Sequence, residues 1–380
     1  MPTSTIRRRG EKRDITVYAN PEDYASFPQL ARTDNELVLL FQVQNLEKLR
    51  ASGQHPHYQP AAVPRWTTSR DGGLTWTLHE TAPTLGSVRD ISYGSAPLAD
   101  GGTVTLTYSD QSSLRAIIQH GRIGYRPYQD ESASGAAADI RLISDLGPFR
   151  HFYPHGTTRT GGGEIIVAGY APLGPSPSGA PDARTTAVFL CSGDEGRTWH
   201  YLSHLPNPFR FSLEEPAVLE VAPGRLITLL RTGWDPVPVE QRPAEARTGY
   251  GYFLYQSASR DGGRSWTKPV PLPLWGHPPH LTRLASGNIL LVYGHRRPPY
   301  EIRAVLSRDH GRSWDLDTLR TVRTFAPGDY DIGYPVATQL ADGAIVCAYY
   351  GYASPEIGEK MPHGIFVNVF DEQWLAACRT

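Results

Sequence analysis

Side chains able to do chemistry gather at a few short places in this sequence. His55 and His57 stand in Gly-Gln-His55-Pro-His57-Tyr58, with Glu47 upstream, and Arg89-Asp90 precedes Tyr93. His151-Phe-Tyr153-Pro-His155 and Trp275-Gly-His277-Pro-Pro-His280 form further clusters, and arginines crowd Tyr293-Gly-His295-Arg296-Arg297-Pro-Pro-Tyr300-Glu-Ile-Arg303. Aromatic rings in such settings stack on sugar faces, while Arg, Asp and His bond sugar hydroxyls. An imidazole such as His55 or His57 donates and accepts protons near neutral pH. Clustered arginines hold an anion. No metal and no cofactor are expected: on a strand, His151 and His155 share a face but stand about 13 Å apart, and His277 and His280 point to opposite faces.

The elements that must position these residues are strands joined by many turns. The 380 residues include 37 Gly and 33 Pro, about 18% of positions against a usual value near 12%. One short pattern recurs as Ser69-Arg-Asp71-Gly-Gly-Leu-Thr-Trp76, Ser192-Gly-Asp194-Glu-Gly-Arg-Thr-Trp199, Ser259-Arg-Asp261-Gly-Gly-Arg-Ser-Trp266 and Ser307-Arg-Asp309-His-Gly-Arg-Ser-Trp314. It reads as a hairpin turn in which Asp bonds nearby amides, Gly takes a left-handed conformation, Ser or Thr adds a polar contact and Trp covers the turn.

A second series sets the period. Asp34-Asn35, Asp100-Gly101, Gly161-Gly162-Gly163, Pro223-Gly224, Ser286-Gly287 and Asp342-Gly343 recur at intervals of 56 to 66 residues. Each is followed by a short apolar run such as Glu36-Leu-Val-Leu-Leu-Phe41 or Asn288-Ile-Leu-Leu-Val-Tyr293, too short and β-rich for a helix. Each unit is therefore expected to be a four-stranded antiparallel blade, and the whole chain an all-β, six-bladed β-propeller. It would form one domain over residues 1–380, with residues 1–13 a basic, disordered tail and Asp14–Tyr18 an extra strand for the last blade. Two β-sandwiches would need a linker, and no segment resembles one. Pro172 to Pro181 and Asp235 to Arg247 read as long loops on one face.

Composition narrows the partners. Lys and Arg number 37 against 38 Asp and Glu, a formal charge of −1, so no global field draws nucleic acid or a membrane surface. No apolar run reaches the roughly 18 residues of a transmembrane helix, and none of signal-peptide length follows Met-Pro-Thr-Ser-Thr-Ile-Arg-Arg-Arg at the N-terminus; a cytoplasmic protein is expected. Of Cys191, Cys347 and Cys378, the first two lie in apolar strand-like runs and read as core thiols.

The repeated Ser-x-Asp-x-Gly-x-(Thr/Ser)-Trp turn in a six-unit β protein resembles the sialidase (neuraminidase) superfamily, where the turn is called the Asp box. The likeness covers nearly the whole chain and speaks to fold, not function. Sialidases use a tyrosine nucleophile polarised by a glutamate, an aspartate acid/base, and three arginines that grip the substrate carboxylate. A neutral phenol attacks an anionic sugar without the repulsion a carboxylate nucleophile meets. Glu214-Glu215-Pro-Ala-Val-Leu-Glu-Val-Ala-Pro-Gly-Arg-Leu-Ile-Thr-Leu-Leu-Arg231 is similar to the sialidase segment that opens with the catalytic glutamate and closes with an arginine. Asp331-Ile-Gly-Tyr334-Pro, followed by Asp342-Gly343, is similar to the stretch that carries the nucleophile. The resemblance thus implies Tyr334 as nucleophile, Glu215 as its partner and Arg231 as a carboxylate ligand, with Asp331 near the substrate. A further arginine is expected among Arg296, Arg297 and Arg303.

The pattern breaks in the first blade. Sialidases open its inner strand with an Arg-Ile-Pro-like tripeptide, and here the equivalent is Ser26-Phe27-Pro28. The loop that would hold the acid/base aspartate has none, so His57, with His55 beside it, takes that role in our reading. Arg89, Asp90 and His155 complete the expected substrate-binding set. The sequence is thus expected to encode a sialidase-like glycoside hydrolase for a terminal acidic sugar: a sialic acid, a related nonulosonic acid or a uronic acid. It would work as a monomer or small homo-oligomer. Two other readings use the same residues: a propeller polysaccharide lyase in which Tyr and His act on a uronate, and a carbohydrate-binding propeller without catalysis.

Overall fold

A computed structural model describes residues 9–53, 62–109, 113–123, 139–175, 181–233, 253–325, 331–353 and 361–377. The architecture is all-β, with four separate four-stranded antiparallel sheets and one nine-stranded sheet. Three of the four-stranded sheets are consecutive meanders: Tyr153–Arg159 to His200–His204, Glu214–Ala222 to Val270–Trp275, and Pro279–Arg283 to Asp315–Thr324. The fourth runs from Ser95–Pro97 through Thr103–Ser109 and Ser113–Gln119 to Asp139–Leu142.

The nine-stranded sheet unites the two ends of the chain. Asp23–Thr33, Leu37–Asn45, Val63–Ser69 and Thr77–His79 form one meander, and Gly333–Gln339, Ile345–Tyr352 and His363–Phe370 form another. A single parallel pair, Tyr24 with His363, joins them. The N-terminal strand Arg13–Tyr18 adds antiparallel to His363–Phe370, as the alternation in Asp14-Ile-Thr-Val-Tyr18 foretells. Residues 9–12 of the expected tail are among the described residues, and the Gly10 amide donates to both carboxylate oxygens of Asp371, at 3.3 and 3.1 Å. The Pro172–Pro181 loop also needs correcting. Its first part extends the strand Ile165–Pro175, which pairs Pro172 with Thr185 and Gly174 with Asp182. Residues 235–247 lie outside the described residues.

The core is divided among the gaps between sheets. Leu290, Ile302 and Leu306 pack against Ile345, Cys347 and Phe366, while Val336, Val346 and Val367 pack against Leu37, Leu39 and Phe41. Ala31, Val38 and Leu40 then meet Val88 and Ile91. The sheet after that packs on the next through Val104, Leu106, Ile165 and Val188. Each sheet thus buries both faces against its neighbours, which is why its strands are near-continuous apolar runs. The first strands of the sheets come close together: a Cβ on Gly156 would run into the Pro216 carbonyl of the adjacent first strand. Cys191 and Cys347 are buried and unbridged.

The four repeated turns share their Ser, Asp and Gly contacts, while the Trp Nε1 donates within the turn in the first two and to Ser203 and Gln256 of the preceding sheet in the last two. In the first, Ser69 Oγ donates to Asp71 Oδ1 at 2.9 Å and accepts the Gly73 amide at 2.9 Å. Asp71 also takes the Thr75 amide and hydroxyl at 2.9 and 2.6 Å, and Trp76 Nε1 donates to the Gly73 carbonyl at 2.9 Å. Each turn links the third and fourth strands of its sheet, and each glycine abuts the preceding sheet. A Cβ on Gly311, at φ +77°, would lie 2.5 Å from Ile227 Cδ1. The turn fastens one sheet to the next.

Candidate functional site

The turns lie at one end of the strands, because the register sets Arg32 opposite Leu37 and Leu37 opposite Ser69. The other end is where the first strands open, and there the backbone does something unusual. Phe27, Tyr93, Glu215 and Tyr334 all have positive φ, at +53°, +46°, +44° and +45°. For an L-residue this conformation costs on the order of 1 kcal/mol. Pairing slips at Ser26/Gln29, Glu214/Ala217 and Gly333/Val336, around three of them. A bulge of this kind re-aims the side chain it carries, and all four side chains turn to one place.

At that place Tyr334 Oη donates to Glu215 Oε1 at 2.5 Å. Arg231 Nη1 donates to both Glu215 oxygens, at 2.9 and 2.8 Å, and lies 3.4 Å from Tyr334 Oη. The bulge that pairs Glu214 with Arg231 delivers Glu215 and Arg231 to the same point from opposite strand directions. Burial pushes the Glu215 carboxyl up, but the charges of Arg231 and His155 and the bonds from Arg231 and Tyr334 outweigh it, holding the group down to about 2. Burial and the adjacent Glu215 charge push the Tyr334 hydroxyl the other way, well above its ordinary value. The resting pair is therefore a neutral phenol bonded to an ionised carboxylate. Glu214 differs from its neighbour: burial dominates over Arg231, 3.9 Å away, and lifts it to about 7.

Around this pair stand Arg296 and a set of rings. Arg296 is 7% exposed and sets its guanidinium 5.4 Å from the Tyr334 ring centroid; its Nε and Nη2 meet no hydrogen-bond partner among the described residues. Phe27 meets Tyr334 edge-on at 4.7 Å, and Tyr93 and His155 lie 6.3 and 6.4 Å from it. His277 is buried, and desolvation, then Arg231 and Arg296, keep it well below the usual imidazole range. Burial drives His280 down to about 4. Both imidazoles are neutral at pH 7.

Asp331 supports the site from behind. Its carboxylate takes the hydroxyls of Tyr24 and Tyr350 at 2.5 and 2.6 Å, and its carbonyl faces His363 Nε2 at 2.9 Å. Tyr350 in turn stacks on Tyr334 at 6.0 Å. The network sits at the one parallel bridge between the chain's two ends, so the nucleophile candidate rests on the seam.

Of the expected site residues, Tyr334, Glu215, Arg231, Arg296, His155 and Asp331 come together. Others are engaged elsewhere. Arg89 forms an exposed pair with Asp34 at 2.7 Å, Arg303 pairs with Glu301 at 2.7 Å, and Arg297 lies over Trp275 at 4.4 Å. Asp90 accepts from Thr338 at 2.5 Å, and burial raises its carboxyl. His55 and His57 lie outside the described residues. Glu47 is exposed on the helix Leu46–Ser52, where a loop was expected; Asn45 caps that helix by accepting the Lys48 amide at 3.2 Å. Phe27, Glu214 and Tyr350 received no role from the sequence. One signal was available for Phe27: the left-handed residues are followed by Pro or Gly, as in Phe27-Pro28, Tyr93-Gly94, Glu215-Pro216 and Tyr334-Pro335. Among the described residues no group of three His, Cys, Asp or Glu side chains is placed to hold a metal, and no helix is long and apolar enough to cross a membrane.

Comparison with known proteins places the fold. Residues 159–347 match the BNR repeat-like domain family. A crystal structure of a Dyadobacter fermentans protein of unknown function is similar over 95% of this chain and 99% of its own, with a TM-score of 0.67 and 22% identity. The Penicillium chrysogenum α-L-arabinanase complexed with arabinobiose is similar over 96% and 99%, with a TM-score of 0.56 and 16% identity. The Ruminococcus gnavus intramolecular trans-sialidase in complex with oseltamivir carboxylate is similar over 96% and 98%, with a TM-score of 0.53 and 14% identity. At such identities the likeness is one of fold. No curated protein matches the sequence.

Proposed function

We propose that this chain, whose residues 159–347 match the BNR repeat-like domain family and whose fold is shared with sialidases, is a retaining glycoside hydrolase for a terminal acidic sugar, built as a propeller of six blades. The blade count reads the nine-stranded sheet as two four-stranded blades that share the seam, with Val88–Ile91 as an added strand. The observation that carries the activity is the 2.5 Å hydrogen bond from Tyr334 to an ionised Glu215.

Glu215 accepts the phenolic proton as Tyr334 Oη bonds to the anomeric carbon and the bond to the leaving oxygen breaks. The leaving oxygen takes a proton from a general acid, the role we give to His57. Water then attacks the anomeric carbon, that same acid in its basic form takes the water proton, and Tyr334 departs with the proton returned by Glu215. Arg231 keeps Glu215 ionised, and Arg296 meets the anionic group of the sugar.

Tyr334→Phe is expected to abolish turnover of any glycoside the wild type cleaves. A fluorinated glycosyl fluoride is expected to leave a stable adduct on Tyr334, detectable by peptide mass spectrometry. Undiminished turnover in Tyr334→Phe sinks the reading. Product absorbance in the near ultraviolet, from a newly unsaturated uronate, would turn it to a lyase in which His155, close to Tyr334, is the partner.

A further inference from the structure

The strand end that carries Tyr334 has a further arginine that its chemistry does not use. Arg297 lies in the turn between His295 and Glu301, which pair with each other, and faces Trp275, which pairs with Phe253 at the same end of the neighbouring sheet. Two successive arginines part company there. Arg296 is buried and sets its guanidinium against the Tyr334 ring, whereas Arg297 is exposed and lies over Trp275 at 4.4 Å. Trp275 is in turn 6.4 Å, ring to ring, from His277, whose buried imidazole feels the charges of Arg231 and Arg296.

Arg297 is held in place on two sides. The Pro299 carbonyl only accepts, so its 2.8 Å contact with His295 Nδ1 puts the imidazole proton on that nitrogen. His295 Nε2 then accepts from Arg297 Nε at 3.4 Å. His295 is 3% exposed, and burial lowers its affinity for a second proton, so the neutral ring persists at pH 7. The guanidinium thus spends its face on Trp275 and its Nε on His295. Its Nη1 and Nη2 make no hydrogen bond or ion pair among the described residues. Arg231 and Arg303 differ in this respect, having Glu215 at 2.8 Å and Glu301 at 2.7 Å. An exposed guanidinium fixed in advance takes an oxyanion with little further loss of side-chain freedom.

We propose that Arg297, braced by Trp275 and His295, is a second anion subsite beside the Tyr334 centre, taking a carboxylate or sulfate on the sugar next to the reacting one. A terminal sugar has one such neighbour, the leaving unit. The favoured substrate is then an oligosaccharide charged on two successive units, and a neutral leaving unit forgoes one contact. The inference rests on the hydrolase reading for the occupant being a saccharide.

The test is calorimetric titration of the full chain with disaccharide pairs that differ only in the charge of the second unit. Digalacturonate and disialate are each compared with the form methyl-esterified on that unit, and sulfated chondroitin disaccharide with the unsulfated one. The charged member of at least one pair is expected to bind about five- to tenfold more tightly, by a margin that shrinks as salt rises. The ester pairs report a carboxylate and the chondroitin pair a sulfate. Arg297→Gln is expected to erase the margin, and Trp275→Leu, which unseats the guanidinium, to cut it to about twofold. Equal binding of both members of every pair overturns the inference, as does a margin that survives Arg297→Gln. A margin without turnover of any pair keeps the subsite and removes the hydrolase reading. Turnover that Tyr334→Phe abolishes, with no margin in any pair, does the reverse.

Discussion

The two ends of the strands follow opposite rules. At one end, four turns repeat the same Ser, Asp, Gly and Trp with the same Ser and Asp hydrogen bonds, Ser192 to Asp194 and Ser307 to Asp309 each at 2.9 Å, as in the first copy. At the other end, four left-handed positions share a backbone but carry Phe27, Tyr93, Glu215 and Tyr334. Where side chains are identical, Ser and Asp bond within their own turn, while Gly and, in two turns, Trp fasten neighbouring sheets. Where they diverge, they bond to one another across the chain: Tyr334 to Glu215, Arg231 to both, Phe27 against Tyr334. A repeat keeps its fold-bearing residues uniform and differentiates the positions that meet at a single point. The left-handed strain at those positions is tolerated because the surrounding sheets over-determine the backbone.

The comparison predicts opposite signatures for changes at the two ends. Glu215→Gln should produce the largest effect, a fall in kcat of about 10³-fold, because the amide cannot take the Tyr334 proton. Tryptophan fluorescence should still report a folded protein. Loss of turnover by less than tenfold would dissolve the distinction between the ends. Gly311→Ala should do the reverse. The added methyl meets Ile227 at a positive φ, so stability should fall by about 2–4 kcal/mol while kcat/KM at a temperature where the variant is folded stays put. Equal stability by denaturant titration would show that the turn glycine does not fasten the sheets.

Legibility in the sequence divides along the same line. The turns are readable because the bonds that shape them lie within eight residues, as where Asp261 bonds Ser259 and Ser265. The strand Ile345–Tyr352, just after Asp342-Gly343, is equally plain. The candidate site was legible only where a segment resembles a known family, as at Glu215, Arg231 and Tyr334. Phe27 was noticed as a missing arginine, since its role depends on Tyr334, more than three hundred residues away, and on a bulge that no local pattern specifies. Arg89 and Arg303 each have a carboxylate within reach: Asp34 across a strand pairing and Glu301 two residues earlier on the same face. That second partner obeys the period-2 rule of a strand and was available from the sequence. So was the helix Leu46–Ser52, which has an Asn cap before it and Gly53 after it, the latter left-handed at φ +67°.

The smallest expected effect lies in a turn and concerns pH. Asp261 receives the Ser265 hydroxyl and amide and the Ser259 hydroxyl, and these bonds hold its carboxyl down to about 2, below the ordinary 3.8. A carboxyl whose value falls on folding stabilises the folded chain above its unfolded value and loses that contribution as pH drops through the folded one. The window is therefore between about pH 4 and pH 2. Asp261 is exposed, so solvent screening limits the gain to roughly 0.5–1 kcal/mol. Asp261→Asn keeps one acceptor and loses the charge. Its unfolding free energy should fall short of wild type by that amount at pH 7, the two should converge as pH approaches 2, and kcat/KM should be the same for both. A deficit that persists undiminished at pH 2 would assign the turn's stability to shape rather than charge, and an accompanying loss of activity would tie this end of the strands to the other.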